Sequence, residues 1–571
     1  MNPEGLVKDK PQIRHIRQCV ILLCVIALTG LISSKYFFRI DLTAEKRYTL
    51  SPETKQVLRQ LDAPLYVSVY LDGNLPVPFR KFRNSIREML DDFKAYSGKR
   101  IIYRFVDPSD APNRQEREEL YVTLEESGIR KITVNIPNKD GSLSQQVIFP
   151  GAILSYKERY STVNLMSNNR MLPSDMVLNV SQEALEYELI KTVNMLSNDS
   201  IECVAFITGH GELTWTETTD LAKEFANFYD VVPKAIDGQL NALDPYKAVI
   251  IAKPQTPFDE KDKFVIDRYI MRGGKVMWLI DGANVNIDSL NVTGMTFALL
   301  SKLNLEDQLF IYGVRINPVV VLDIESHIIP VMMADGSSQF VSAPWLYYPL
   351  ANPSSRHVIT RNLNPVWLRY ASDIDTVGRD GCIRKNVLLQ SSGLSRTRGV
   401  PFLISIDEVQ RQLDQRQFNK PHRIIAVLLE GQFPSVFRSR NARNLFPELQ
   451  EEQAEKSVAT KMLVVADGDI ARNDVRLTPN GSVPAYPLGY DRYTGYTYAN
   501  KDFLVNALNY LTDDAGLMNL RNREFKLRLL NKQKIASERL KWQAINLALP
   551  MILLLVGGLA YNRWRRYAYG K

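Results

Sequence analysis

The chain has 571 residues, of which 45% are hydrophobic and 23% are charged, and at roughly 150 residues per domain this length predicts three or four domains. The formal net charge is +8, but residues 1–18 carry +2 of it (four basic, two acidic) and residues 562–571 carry +4 (four basic, no acidic), which leaves only +2 for the rest of the chain. Because nucleic-acid binders concentrate positive charge on a folded domain, this distribution excludes DNA and RNA as partners.

The first predicted element is a transmembrane helix over residues 19–38, CVILLCVIALTGLISSKYFF. Twenty helical residues span about 30 Å, the thickness of the hydrocarbon core. Lys35 and the aromatic residues after it suit the membrane interface, and no small-residue cleavage site follows, so we expect an uncleaved anchor and not a signal peptide. The sequence therefore predicts a cytoplasmic tail over 1–18, this anchor, and a linker helix within 39–62 that starts after the N-cap Ser51.

Residues 63–170 have the pattern of a small α/β domain. The predicted elements are strand 65–71, helix 79–96, strand 101–106, helix 113–127 and strands 132–136, 146–156 and 160–164. The order βαβαββ is that of a thioredoxin-like fold. A thioredoxin enzyme needs a reactive cysteine at the start of its first helix, and the loop over 72–79, DGNLPVPF, contains none. We therefore expect the fold without the redox chemistry.

Residues 181–325 have the pattern of the first part of a doubly wound α/β domain, which opens with a helix that has Ser181 as its N-cap. The strands are continuous apolar runs, which is typical of strands buried on both faces of a parallel sheet. Gly273 and Gly274 are expected to end the last of the three helices. The predicted elements after the first helix are strands 202–209, 229–233, 247–254 and 275–281 and helices 216–229 and 259–272.

Residues 326–460 are predicted to form a β-rich region. The α/β domain resumes over residues 461–515, where a strand at 461–470 is expected to rejoin the parallel sheet. A helix over 500–512 is expected to pack on that strand. The sequence thus predicts a doubly wound domain interrupted by a β-rich insertion.

The C-terminal part of the chain predicts a second membrane anchor. A basic juxtamembrane helix is expected over 516–541, because residues 521–541 hold eight basic and two acidic residues. Residues 542–561, WQAINLALPMILLLVGGLAY, are long enough to span a membrane, and a basic tail follows over 562–571. We expect both tails in the cytoplasm and the body on the opposite side, since long domains translocate largely regardless of their charge.

Several stretches occur together in a characteristic order. They are DLTAEKRYTLSPET, ITGHGE, TPFDEKDKFVIDRYIMRGGKVMWLID, YGVRINPVVVLD, YANKDFLVNALNYLTDD and LRNREFKLRLLN. With the two terminal apolar runs, they resemble the gliding-motility-associated family of ABC-transporter auxiliary proteins (GldG-like), which are often labelled substrate-binding components. The resemblance covers nearly the whole chain.

The resemblance implies an accessory subunit anchored in the bacterial inner membrane, with most of the chain in the periplasm. It implies ABC permease and ATPase subunits and membrane lipids as partners, and a central domain similar to glutamine-amidotransferase-like and intraflagellar-transport-like domains. A glutaminase needs a nucleophilic cysteine on the turn after strand 247–254, where this sequence has Lys253, Pro254 and Gln255. We therefore expect no enzymatic activity and no cofactor.

Four residues at predicted strand ends are the candidate ligand or partner contacts: Thr208, His210, Glu212 and Asp281. Doubly wound sheets bind ligands beyond the carboxyl ends of their strands. Three interpretations are open: an accessory subunit, a tethered solute-binding protein with its ligand site here, and a hydrolase that uses His210 and Glu212. We favour the first, because one loop supplies at most two of the three or so ligands of a metal site. A general base also needs a nucleophile, and this loop has no serine or cysteine.

The local sequence GHG also has a purely structural interpretation. Gly209 and Gly211 suit backbone angles that other residues resist. The His210 imidazole is then expected to bond a neighbouring backbone group, and Glu212 to precede a helix N-terminus, where negative charge is favoured. Asp467 and Asp469 likewise have two interpretations, as metal ligands or as caps of the turn after a strand.

Overall fold

The computed structural model describes the chain in segments, within which it is a mixed α/β protein with several sheets and one apolar C-terminal helix. The described residues are 20–25, 49–137, 143–167, 173–198, 201–332, 340–378, 381–410, 412–440, 446–447, 454–478, 481–484, 486–522 and 532–569. The described residues up to 522 belong to one compact unit, and residues 532–569 belong to a second.

The N-terminal part of the large unit is an α/β arrangement. Its elements are α1 (Pro52–Gln60), β1 (Leu65–Val69), α2 (Val77–Tyr96), β2 (Ile101–Phe105), α3 (Arg114–Glu126), β3 (Ile132–Pro137), β4 (Leu143–Ile148), β5 (Gly151–Tyr156) and β6 (Arg159–Asn164). Ser51 caps α1 as predicted, since its hydroxyl accepts a hydrogen bond from the Thr54 amide. The sheet has the order β2-β1-β5-β6, with β1 parallel to β2 and antiparallel to β5.

The predicted single strand over 146–156 is wrong. Pro150 has no amide hydrogen to donate to a ladder, and the strand is interrupted there. The residues before the interruption form β4, which pairs with β3 in a separate hairpin, whereas β5 joins the four-stranded sheet. The domain therefore has two small sheets, and the two halves of the predicted strand belong to different ones.

Helix α4 spans Ser174–Ser197, and it begins earlier than predicted. Ser181 is not its N-cap but lies inside the helix, where its hydroxyl donates a 2.6 Å hydrogen bond to the Val177 carbonyl. A serine inside a helix often bonds the carbonyl four residues back, so its presence alone does not mark a helix start. Glu186 of α4 accepts hydrogen bonds from two residues at the start of α1, through the Ser51 amide and the Thr54 hydroxyl. This buried contact connects α1 to α4.

The central part of the large unit is built on a sheet that runs to residue 465. Its first elements are β7 (Cys203–Thr208), α5 (Thr219–Ala226), β8 (Asp230–Ala235), β9 (Ala248–Ala252), α6 (Glu260–Met271), β10 (Lys275–Leu279), β11 (Ala283–Val285), α7 (Ile287–Thr293), β12 (Met295–Leu300), α8 (Glu306–Tyr312), β13 (Val314–Ile316), β14 (Val319–Asp323), β15 (Ser326–Met332) and β16 (Phe340–Pro353). The later elements are β17 (Val366–Trp367), β18 (Ile374–Thr376), β19 (Ile383–Gln390), β20 (Ser395–Gly399), β21 (Phe402–Ser405), β22 (Ile424–Gly431), β23 (Thr460–Val465), β24 (Val475–Thr478), β25 (Gly481–Pro484) and α9 (Asn500–Thr512).

The described strands of the central sheet have the order β15-β16-β19-β22-β23-β10-β9-β7-β8, with β17 beside β16. Strands β8, β7, β9, β10 and β23 are parallel to their neighbours within this group, as the sequence predicts. Val249, Ile251 and Trp278 pack into the core on one face, and Ile250 and Met277 pack into the core on the other. The apolar runs are therefore buried on both faces.

The return of the chain to the sheet after the β-rich region is also confirmed. Strand β23 lies parallel to β10, and helix α9 has the predicted bounds and packs against β23. The β-rich region does not form one separate sheet, because β16, β19 and β22 extend the central sheet in antiparallel fashion. Its strands β18, β20 and β21 pair instead with strands that precede residue 326, in the small sheets β13-β18, β14-β20 and β11-β12-β21.

The second unit contains helix α10, Lys532–Tyr569, which is continuous through Pro550. By length and composition, the stretch Ser537–Ala568 within it is able to cross a membrane. It includes the predicted span over 542–561, and it continues without interruption into part of the predicted basic helix. The other predicted span, over 19–38, lies outside the described residues except for 20–25, which are helical.

Candidate functional site

The loop after β7 reverses the chain with two glycines in unusual backbone conformations. Gly209 has φ of +119° and Gly211 has φ of +72°, angles that L side chains rarely adopt. The His210 carbonyl between them accepts hydrogen bonds from the amides of Gln255 (2.7 Å) and Thr256 (2.9 Å). The predicted positive φ angles are thus confirmed, and the turn is fixed to the loop that follows β9.

The His210 side chain lies between two carboxylates. Its Nε2 is 3.0 Å from Asp262 Oδ2 and its Nδ1 is 3.3 Å from Glu212 Oε1, and the ring stacks on Phe258 with centroids 3.7 Å apart. The expectation that the imidazole bonds a backbone group is therefore wrong. It fails because Asp262, which the sequence places on α6 beyond the loop, lies within reach of the ring once α6 packs beside β7.

The position of Glu212 is also different from the one expected. Its Oε2 accepts a 2.7 Å hydrogen bond from the His210 amide, and its side chain is almost completely buried. The next helix, α5, starts only at Thr219, so Glu212 does not act on a helix N-terminus. Instead, the carboxylate closes the turn onto the histidine that precedes it.

These neighbours change the charge state of His210. Burial lowers its pKa, but the Asp262 and Glu212 carboxylates raise it more strongly, and the net pKa is about 9. The pKa of Asp262 is lowered, because the imidazole and the Gly238 amide offset its burial. His210 is therefore an imidazolium at neutral pH, and it is a poor general base because it already holds a proton.

A second polar group lies at the ends of β9, β10 and β23, and we call it the strand-end cluster: Lys253, Asp281, Asp467 and Asp469. The Lys253 ammonium donates a short hydrogen bond to Asp469 and lies 3.5 Å from Asp281 Oδ2. Asp281 also accepts a 2.5 Å hydrogen bond from the Gly468 amide. All four side chains are buried, so they connect three adjacent strands in the interior of the protein.

Asp467, the first of the two aspartates that follow β23, has the local role of a turn cap. Asp467 accepts hydrogen bonds from the amide of Asp469 (2.8 Å) and from the amide of Arg369 (2.7 Å). This bears out the interpretation as a cap for Asp467, whereas the Asp469 carboxylate accepts hydrogen bonds from the side chains of Lys253 and Arg472. The lysine itself has φ of +55°, and a Cβ on Gly468 would lie 2.6 Å from the Lys253 Cβ. Gly468 is needed there because the two loops approach so closely.

The cluster has the carboxylates of a metal site but also contains its own cation. Oxygen atoms of Asp281, Asp467 and Asp469 lie within 4.8 Å of one another, a spacing that could hold a metal ion. Burial raises the pKa of Asp467 well above its usual range and also raises that of Asp281. Burial lowers the pKa of Lys253, but Asp281 and Asp469 raise it more, so the net shift is upward. Lys253 therefore competes with a divalent cation for these carboxylates, and burial disfavours their charged forms, which a divalent cation would need.

The predicted site residues therefore belong to two groups on the same edge of the sheet. Thr208 is the last residue of β7, His210 and Glu212 lie in the loop after it, and Asp281 lies in the strand-end cluster. Gln255 joins the two, since its amide bonds the His210 carbonyl and its side-chain Nε2 donates to the Lys253 carbonyl at 3.2 Å. In both groups the charged side chains that the structure describes are neutralised by protein partners.

The sequence does not predict two of these interactions. They are the contact between Asp262 and His210, and the ion pairs that Lys253 forms. Asp262 looked like an ordinary first-turn acid of α6, which it also is. Lys253 stands out in the sequence only because it lies on the turn where a glutaminase has its nucleophilic cysteine. A lysine directly after a fully apolar strand is a signal that it needs a buried carboxylate, because an ammonium is costly to bury alone.

Comparison with known proteins gives the following likenesses. The model of the family described as "ABC-type uncharacterized transport system" (ABC_transp_aux) matches residues 202–507, and a model of a domain of unknown function matches residues 44–155. An uncharacterized protein of Borreliella burgdorferi is 20% identical over 545 residues, which cover 93% of this chain and 94% of that protein. Among solved structures, the "mmIFT52 N-terminal domain" aligns with 55% of this chain and 98% of its own length, at 12% identity and a TM-score of 0.32. That structural likeness is too low to carry a conclusion.

Proposed function

Because the chain belongs to the family of auxiliary proteins of an uncharacterized ABC-type transport system, we propose that it is a non-catalytic, membrane-anchored accessory subunit of an ABC transporter. The observation that carries this proposal is the family match over residues 202–507, which runs from the residue before β7 into α9 and so includes the whole parallel part of the central sheet. The match supports an accessory role in transport. The partners that we propose are the permease and ATPase subunits of the transporter.

We further propose the narrower assignment to a transporter associated with gliding motility. It rests on the GldG-like stretches, which run from DLTAEKRYTLSPET near the N-terminus to LRNREFKLRLLN near the C-terminus. The N-terminal strand order β2-β1-β5-β6 supports a thioredoxin-like arrangement for residues 63–170. The five parallel strands with cores on both faces support an amidotransferase-like arrangement for the central domain.

The proposed absence of catalysis is supported by the chemistry of the strand ends. His210 is held between Asp262 and Glu212, and Lys253 is held by Asp281 and Asp469. Groups that neutralise one another in the interior are not available to a substrate. The same pairing weakens the alternative of a tethered solute-binding protein, which would need polar side chains at these strand ends that face a ligand.

For the membrane we propose two spans, with both tails in the cytoplasm and the body in the periplasm of a bacterial inner membrane. Helix α10 supports one span, because its apolar side chains between Leu547 and Leu559 are exposed. Protease added to spheroplasts should then digest the body and spare an epitope placed at either terminus. A protected body would refute this topology.

Co-purification tests the accessory role. The full chain, tagged at a terminus and extracted from native membranes in mild detergent, should recover an ABC permease and an ABC ATPase in fixed ratios. A matched control is the same chain with residues 537–568 replaced by an unrelated transmembrane helix, which keeps the anchor but removes specific helix contacts. Recovery of neither ABC subunit with the natural chain, under conditions that keep the transporter intact, would refute the proposal.

A further inference from the structure

We propose that a cavity beside helix α4 binds the phosphate group of a small anionic ligand through Lys191 and Arg521. The site is separate from the strand-end groups, and the proposal goes beyond the accessory role without depending on it. The cavity has a volume of about 500 Å³ and lies within the large unit. Residues of β6, α4, α5, α9 and the loop 361–364 form its walls.

Helix α4 and the segment after α9 bring the two cations to the same place. Tyr187 and Lys191 are one helical turn apart on α4, so they share a face of that helix. Arg521 lies in a 3₁₀ helix after α9, Leu517–Asn522. The centroid of the Tyr187 ring is 5.9 Å from Lys191 Nζ and 5.6 Å from Arg521 Cζ. Both cations line the cavity.

These two cations have no counter-charge in the part of the chain that the structure describes. There, neither Lys191 nor Arg521 forms an ion pair with a carboxylate. Arg521 Nη1 has no hydrogen-bond partner, and its Nη2 lies 3.5 Å from the Arg361 carbonyl. Glu224, an acid in the wall of the cavity, lies 3.9 Å from the Lys501 ammonium instead. Two uncompensated positive charges therefore line one cavity.

The other neighbours of Lys191 do not compensate its charge. Its ammonium lies 3.9 Å from the centroid of the Phe228 ring, a contact that attracts the cation but does not neutralise it. Burial lowers the pKa of Lys191, Glu188 and Glu224 offset part of this effect, and the charge of Arg521 lowers the pKa further. A partly buried ammonium beside a second cation is costly. A bound anion would remove that cost.

The charge and shape of the two cations favour a phosphate group over a carboxylate. A phosphate monoester carries about two negative charges near neutral pH, which matches one lysine and one arginine. A carboxylate carries only one and would leave the second cation unmatched. The planar guanidinium can bind two phosphate oxygens, and the ammonium can bind the third as a point charge.

The cavity also offers a group for the rest of the ligand. Asn364 lines the cavity and is 9% exposed, and its Oδ1 has no hydrogen-bond partner. This oxygen is available to accept from a hydroxyl group of the ligand. A soluble phosphorylated compound and a phospholipid headgroup share this chemistry, so the experiment must separate the two sources.

Calorimetric titration with inorganic phosphate tests the site on the full chain in phosphatidylcholine nanodiscs, at low salt and pH 7.5. We expect saturable binding, and Lys191→Met and Arg521→Gln should each raise the dissociation constant at least about tenfold. Lys157→Met is the matched control, because the Lys157 ammonium pairs with Asp62 at 3.2 Å and does not line the cavity. Its loss removes the same charge and should change the dissociation constant by less than about twofold.

Thermal unfolding separates binding from a structural role. Phosphate should raise the Tm of the parent and of Lys157→Met, but not that of Lys191→Met or Arg521→Gln, because a ligand stabilises only a folded state that binds it. Without phosphate, Lys191→Met should be at least as stable as the parent, since it removes an unpaired charge from a partly buried position. A lower Tm of this variant would assign Lys191 to the fold and overturn the proposal.

A second set of nanodiscs identifies the source of the phosphate group. Phosphatidic acid carries a phosphate monoester on a lipid, and oleate at equal charge controls for repulsion at the membrane surface. Weaker binding of inorganic phosphate with phosphatidic acid than with oleate would assign the cavity to a lipid headgroup, and equal binding would assign it to a soluble compound. Acetate that binds as tightly as phosphate, phosphate binding that does not saturate, or equal affinity in the parent and both cavity variants would overturn the proposal.

Discussion

Replacement of Lys253 by methionine tests the account of the strand-end cluster. Methionine keeps the length of the side chain but removes the only cation that lies within 4 Å of both Asp281 and Asp469 in the described structure. The lysine, Asp281 and Asp469 side chains are 11%, 9% and 2% exposed, so water cannot replace the lost partner. Arg472 approaches Asp469 only to 3.5 Å. The variant should therefore leave Asp281 without a cationic partner in the interior, and Asp469 with Arg472 alone.

The expected loss is large. Removal of one partner from a buried ion pair costs about 3–5 kcal/mol. For a domain of about 300 residues, 1 kcal/mol corresponds to a shift in Tm of about 2 °C, so the Tm of the central domain should fall by about 6–10 °C at pH 7.5. The loss should be smaller at pH 5. Burial already raises the pKa of Asp281 in the parent, and without the lysine it rises further, so at pH 5 the folded variant can take up protons and discharge the cluster.

Scanning fluorimetry at the two pH values measures both effects, and Trp278, buried on β10 beside the cluster, is a natural reporter. The double variant Lys253→Met, Asp281→Asn should recover part of the loss, because asparagine can still accept from the Gly468 amide without a charge. Millimolar Mg²⁺ should raise the Tm of Lys253→Met, in which Asp281 has lost its cationic partner, and leave the parent unchanged. An unaltered Tm, or an equal loss at pH 5 and pH 7.5, would refute the reasoning.

Three other predictions concern the loop after β7 and the membrane-proximal segment. The pKa of His210 is raised to about 9, so its stabilising charge is fully present below pH 6.5 and is lost as the pH rises to about 9. His210→Gln should therefore lower the free energy of unfolding by about 2 kcal/mol at pH 6 and by little at pH 9.5. Denaturant titration at the two pH values measures this difference. Gly209→Val should destabilise more than Gly211→Ala, by about 1–3 kcal/mol for the former, because φ of +119° is forbidden to valine whereas +72° lies in the left-handed helical region; an equal loss in the two variants would contradict this. Reversal of four basic residues between 521 and 541 should reduce recovery of the ABC subunits, whereas reversal of the same number of basic residues in 562–571 serves as the control.

Local patterns were the part of the fold that the sequence could predict. The bounds of α9, the cap at Ser51 and the parallel apolar strands follow from residues close together in the chain. The exceptions are also local: Pro150 splits a strand, and Ser181 bonds back inside α4 instead of capping it. In each case two structures were compatible with the same short pattern, and the packing of distant elements decided between them.

The candidate site was less predictable, because its chemistry depends on distant pairs. Asp281 and Asp469 are both candidates from the sequence, but nothing near either residue in the chain predicts that they are close in space. They meet only because β23 inserts beside β10. The charge on His210 depends on Asp262, which a helix on one face of the sheet carries to the ring. The exposure of Met295, Phe297 and Leu299 on β12 could not be predicted either, because MTFALL is equally compatible with a fully buried strand.

The position of β23 has a consequence for how the chain folds. Strands β9 and β10 are joined by a short crossover through α6. The other neighbour of β10 is β23, which is synthesised only after residues 280–459. The intervening loop is roughly three doublings longer than that crossover, which adds about 2 kcal/mol to the entropy of closure. Until β23 arrives, β10 is an open apolar edge in a partly synthesised chain. A protein built this way should depend on chaperones during synthesis, and mutations in the β-rich insertion are expected to reduce yield even where they leave the finished molecule stable.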